Sequence, residues 1–63
     1  MIYRFKIETF NRKNEEATDE RLREIGLDSW GLVTVLPGSR EDPSDVDHIT
    51  MFFARDASED IGL

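Results

Sequence analysis

The stretch SWGLVTVLPG, Ser29 to Gly38, does not fit a strand with one face in water. Alternation puts Trp30, Leu32, Thr34 and Leu36 on one side and Gly31, Val33 and Val35 on the other, and neither set is made for solvent. A strand of this kind needs cover on both faces. Cover is scarce in a chain of 63 residues, because a domain of that size buries only about 60% of the surface its unfolded chain exposes. Small domains offset this with disulfides, a structural metal or association. The chain has no cysteine, which removes disulfides and most zinc sites and leaves association.

The flanking segments supply one helix and two further strands. IYRFKIETF, from Ile2 to Phe10, sets Tyr3, Phe5 and Ile7 on one face and Arg4, Lys6 and Glu8 on the other, the pattern of a half-buried strand. NRKNEEATDERLREIG follows. Asn14 or Thr18 can cap a helix there, Glu15, Glu16, Asp19 and Glu20 lie near the positive end of its dipole, and Gly26 is placed to end it. Leu22 and Ile25 form its narrow apolar stripe, and Asp19 with Arg23 forms a helical ion pair. After the SWGLVTVLPG strand, PGSREDPSDVD is a turn-rich loop that Pro37, Gly38 and Pro43 keep out of any central strand. HITMFFARD is the last strand, with His48, Thr50, Phe52 and Ala54 on one face and Ile49, Met51, Phe53 and Arg55 on the other.

The expected fold is α+β: a single β-α-β-β domain over residues 1–55, a three-stranded, mostly antiparallel sheet with one helix on one face. Residues 56–63 are expected to form an acidic, flexible C-terminal tail. The third strand, the most apolar, is placed in the middle, with the second strand as the other candidate for that position. Trp30 and Leu32 are assigned to the helix side, Trp30 being the largest piece of core near Leu22 and Ile25. Val33, Val35, Met51 and Phe53 are then expected on the uncovered face, as the interface of a homodimer or higher even oligomer.

Charge limits the partners. The net charge is -6, and residues 37–63 hold seven Asp or Glu against two Lys or Arg. Direct nucleic-acid binding and anionic membranes need clustered Lys and Arg and are not expected. A basic protein partner is compatible with this balance. No apolar run approaches a membrane span or signal-peptide core, so the chain is read as cytoplasmic.

LREIGLDSWGLVTVLPG followed by MFFAR, in the order strand, helix, strand, strand, resembles the small bacterial and phage family called domain of unknown function 4177. Leu22, Ile25, Gly26, Trp30, Leu32, Val33, Val35, Pro37, Phe52, Phe53 and Arg55 fall on that family's pattern, which covers roughly residues 2–55. Ser29 stands where a glycine usually precedes the tryptophan, and Gly31 where an acidic residue usually follows it. The resemblance implies an architecture and a tendency to pair with copies of itself, and no reaction.

Catalytic, cofactor and metal sites are not expected. His48 is the sole histidine, near Asp45 and Asp47, whereas a transition-metal site wants three or four ligands in fixed geometry. Ser29, Ser39, Ser44 and Ser58 lie in turns or tail with one histidine between them, a poor start for nucleophilic catalysis. Two readings of function remain. One is a non-enzymatic interaction module, self-associating, that serves as a bacterial or phage accessory or inhibitory factor on another protein. The other is an acidic decoy whose Glu41, Asp42, Asp45 and Asp47 imitate phosphates and fill the basic groove of a nucleic-acid-binding or host-defence enzyme.

Overall fold

The computed structural model describes residues 2–58. Strand β1 (Tyr3–Asn11) leads through a tight turn into helix α1 (Glu15–Leu27), followed by β2 (Gly31–Pro37) and β3 (His48–Asp56). The three strands form one antiparallel sheet in the order β1-β3-β2. The most apolar strand is therefore central, as its composition requires, and the fold is the expected α+β arrangement.

Both ends of α1 have local causes. The Asn14 side chain accepts the Ala17 N–H at 3.4 Å, and Glu15 and Glu16 occupy the first turn, where the helix dipole favours negative charge. At the other end the helix runs one residue past Gly26. Trp30 N–H then reaches back to the Ile25 carbonyl at 3.2 Å, and Ser29 N–H to the Gly26 carbonyl at 3.0 Å. These two bonds form a Schellman motif, whose reversing residue must be left-handed. Ser29 holds that position, with φ of 67°. Gly26 thus does not end the helix; the residue that turns the chain lies three positions later.

The face that α1 covers is fixed by β3. Phe53 is 3% exposed and Ile25 is 2% exposed, and with Phe10 they form the core cluster, against which Leu22, Trp30, Ile49 and Met51 pack. Residues opposite one another in an antiparallel pair share a face. Lys6 lies opposite Phe53, Glu8 opposite Met51 and Phe10 opposite Ile49, so the helix sits over the charged side of β1. Two polar contacts fix it there: Arg21 Nε donates to Glu8 Oε1 at 2.9 Å, and Lys6 Nζ stands 5.0 Å from the Trp30 ring centre.

Three expectations change on this evidence. Phe53 and Met51 belong to the helix side, Phe53 within the core itself, and so do not form the uncovered face. Val35 lies opposite Met51 and goes with them. The cause is a register shift between Leu32 and Thr34: Leu32 pairs with Phe53 and Thr34 with Phe52, so Val33 is the extra residue of a bulge and the alternation changes phase there. Lastly, the fold does not stop at Arg55. Asp56 still pairs with Tyr3, Ala57 is fully buried, and its N–H donates to the Ile2 carbonyl at 2.8 Å. The remainder of the expected tail, 59–63, lies outside the described residues.

Candidate interaction surface

With the helix on one side, the other side of the sheet carries three cross-strand rows. Phe5, Ala54 and Gly31 form the first, Ile7, Phe52 and Thr34 the second, and Thr9, Thr50 and Leu36 the third. Tyr3, opposite Asp56, continues the face beyond the first row. None of the nine residues in the three rows is charged. Phe5 is 76% exposed, Tyr3 52%, Leu36 49% and Ile7 37%. Large apolar side chains at such exposure, contiguous on one sheet face, mark a surface made to be covered. The second face of SWGLVTVLPG is thus bare at Leu36, while Val33 and Val35, 62% and 38% exposed, stay uncovered too, Val35 on the helix side of the sheet.

The loop between β2 and β3 shapes one end of this face. Gly38 has φ of 86°, and a Cβ there would come within 2.5 Å of the Asp42 carbonyl oxygen, so only glycine fits. Thr50 Oγ1 donates to the Gly38 carbonyl at 2.8 Å and lies 3.1 Å from Thr9 Oγ1, tying loop, β3 and β1 together. The loop then rises beside the sheet and leaves a hollow of about 360 Å³ bounded by Ile7, Leu36, Phe52, Thr50, Pro43 and Arg40. Its walls are mostly apolar, with Arg40 the charged group at the rim.

The four acidic loop residues are largely engaged in building that loop. The Asp42 carboxylate accepts from Ser44 N–H at 3.0 Å and Ser44 Oγ at 2.6 Å, which holds its pKa below the ordinary carboxylate value. Asp45 accepts the Asp47 N–H at 2.9 Å and meets His48 Nδ1 at 2.8 Å. Asp47 pairs with Lys13 at 3.5 Å, and its carbonyl accepts the Arg12 N–H. Glu41 is exposed. His48 is accordingly a strand-end residue tied to a turn. Among the described residues no group of three or more His, Asp or Glu could hold a metal ion.

On the helix side, Trp30 forms the margin of the core. Lys6 Nζ and the Arg55 guanidinium carbon stand 5.0 and 5.1 Å from its ring centre, and its Nε1 donates to Asp28 Oδ2 at 3.1 Å. Arg55 also donates to the Asp28 carbonyl at 3.0 Å and to its Oδ1 at 3.1 Å. Arg55 and Trp30 thereby clamp the helix end to the central strand. A wide cleft at the far end of the helix has Phe10, Leu22 and Ile49 for a floor and Glu15, Glu16 and Asp19 on its rim.

Sequence reasoning missed Tyr3, Phe5 and Ile7 as surface, because an alternating strand ordinarily turns its apolar side inward. A signal was present in Phe10, the one large apolar residue on the charged side of β1, which marks the side that meets the core. Among the described residues no helix is long and apolar enough to cross a membrane. Comparison with known protein families, characterised proteins and solved structures finds no match to this chain.

Proposed function

We propose that this chain is a non-enzymatic protein-interaction module of the cytoplasm that works as an assembly of its own copies, an accessory or inhibitory factor on another protein. The observation that carries the reading is the bare sheet face bearing Phe5, Ile7, Leu36 and Phe52, in a domain whose buried apolar residues, among those described, are Phe10, Ile25, Phe53 and Ala57. A core this small gains from covering the other face, at about 25 cal/mol for each Å² of apolar surface removed from water, offset in part by the cost of association. A second copy is the simplest cover, since two-fold pairing asks only that one surface complement itself. Kinship with the domain of unknown function 4177 family is part of this proposal, resting on the residues that carry the resemblance.

Self-association through the open face leaves the helix side free for a different protein. The cleft lined by Glu15, Glu16 and Asp19, against the single cation Arg12, suits a basic partner with an apolar anchor. The acidic loop supports a phosphate-mimicking decoy less well, because Asp42, Asp45 and Asp47 are drawn into turns and pairs.

Light scattering on a sizing column at micromolar concentration tests the reading, with wild type beside Phe5→Asp. Phe5 is exposed, so the variant should fold. The expected result is a wild-type mass of at least twice 7.3 kDa and a Phe5→Asp mass of one chain with unchanged circular dichroism. A wild type that stays at one chain removes the proposal.

A further inference from the structure

Phe5 and the hollow lie at opposite ends of the same face. Phe5 is in the first row, projecting from the sheet, while the hollow opens around the third row, between Ile7, Phe52, Thr50 and Leu36. The second row is midway between them. A two-fold axis lying between two stacked sheets and crossing the strands at that row exchanges the first row of one copy with the third row of the other. Each Phe5, on edge strand β1, is then carried over the partner's Thr9, beside the Ile7 wall of the hollow and within reach of it for a ring that leans toward β3, and the contact is made twice by one operation.

The charges at the two ends agree with this exchange. Asp56 stands opposite Tyr3, just beyond the first row, and its carboxylate, held by Ser58 N–H and Oγ at 2.9 and 2.7 Å, has a pKa below the ordinary value. Arg40 lies at the other end, on the rim of the hollow. Turning one copy end for end brings each Asp56 toward the other's Arg40. The three rows between are uncharged, so the net charge of -6 puts no like charges into the middle of the contact. A pairing without the end-for-end exchange, about an axis along the central strand, would lay β1 over β2, set Phe5 over Gly31 and Asp56 beside Asp56, and leave both hollows empty.

We propose that the open face is closed by a second copy turned end for end, Phe5 of each copy seated in the Ile7–Leu36–Phe52 hollow of the other and Asp56 facing Arg40. This rests on the self-association reading and specifies its geometry. Two faces of this extent bury on the order of 1,000 Å² in total, the lower end for a specific protein interface. The apolar content of the face compensates for its size, with an aromatic anchor filling a preformed pocket at each end.

The absence of cysteine makes the test direct. Tyr3→Cys and Arg40→Cys chains, both at exposed positions, retaining Phe5 and differing in mass tag, are mixed, allowed to exchange, and treated with a short bismaleimide. The expected product is a covalent pair joining the Tyr3→Cys chain to the Arg40→Cys chain, in excess over either homotypic pair. A dominant Tyr3→Cys homotypic product, or no mixed product in a sample that light scattering shows to be dimeric, overturns this arrangement and leaves self-association standing. A wild type that is monomeric at every concentration overturns both.

Discussion

Replacing Phe53 by alanine separates the core from the interface more sharply than any other single change. Phe53 lies in the middle of the central strand at 3% exposure, against Phe10 and Ile25. Its ring cannot be removed without leaving a cavity between helix and sheet, and such truncations cost about 3 to 5 kcal/mol. A 63-residue domain has a total stability of roughly 3 to 9 kcal/mol. Phe53→Ala should therefore lose most of its far-ultraviolet circular dichroism at 25 °C or melt tens of degrees early, whatever the protein concentration. Phe5→Ala, by contrast, should keep its secondary structure while its assembly weakens, because Phe5 touches the core little. Thermal melts followed by circular dichroism at two concentrations distinguish the cases. A Phe53→Ala chain that is folded and monomeric would show that Phe53 faces outward and that the helix has been placed on the wrong side of the sheet.

Three further outcomes follow from particular contacts. Ser29→Gly relieves a left-handed serine at the helix end, a strain of about 1–2 kcal/mol, against an unfolded-state entropy cost of about 0.4–1 kcal/mol; a higher urea midpoint is expected, and a lower one would contradict the Schellman assignment. A chain ending at Arg55 loses the Asp56–Tyr3 pairing, the burial of Ala57 and its bond to Ile2, so it should melt at least about 5 °C below wild type by calorimetry; an unchanged midpoint would show that the fold ends with Arg55 after all. The Arg21 hydrogen bond lowers the Glu8 pKa from its ordinary 4.5, so this contribution is complete above that value and is lost as pH falls through the lowered one. In Glu8→Gln the decline of stability on acidification should be shallower than in wild type, and identical slopes would mean that the pair does not form in solution.

The order of elements, the central place of β3 and the helix stripe of Leu22 and Ile25 were legible because each follows from local pattern. Asn14 was legible for the same reason as one of two candidate caps, beside Thr18, and the structure selects it. Which side of β1 faces the helix was not, since Tyr3, Phe5 and Ile7 satisfy the usual rule for an inward face and only the pairing of Phe10 with Ile49 reverses it. The bulge at Val33 was invisible as well. Nothing in GLVTV marks an extra residue, yet that one residue sends Leu36 to the open face and Val35 to the other. The need for a cover was readable from the doubly apolar strand, whereas the residues that present the bare face depend on register, which is set by long-range pairing. Helix termination shows a third kind of limit: Gly26 has the composition of a stop, but the hydrogen bonds place the reversal at Ser29.

The most direct test of the claim that a second copy completes this fold is the dependence of the unfolding midpoint on protein concentration. Folding coupled to pairing is stabilised by mass action, by about 2.7 kcal/mol for each dimer over a hundredfold rise in concentration. For a pair of chains this size that corresponds to roughly 10 °C in midpoint. A rise of that order is expected between about 1 and 100 μM in wild type, and a midpoint independent of concentration in Phe5→Asp. A wild-type midpoint that does not move over the same range would contradict it.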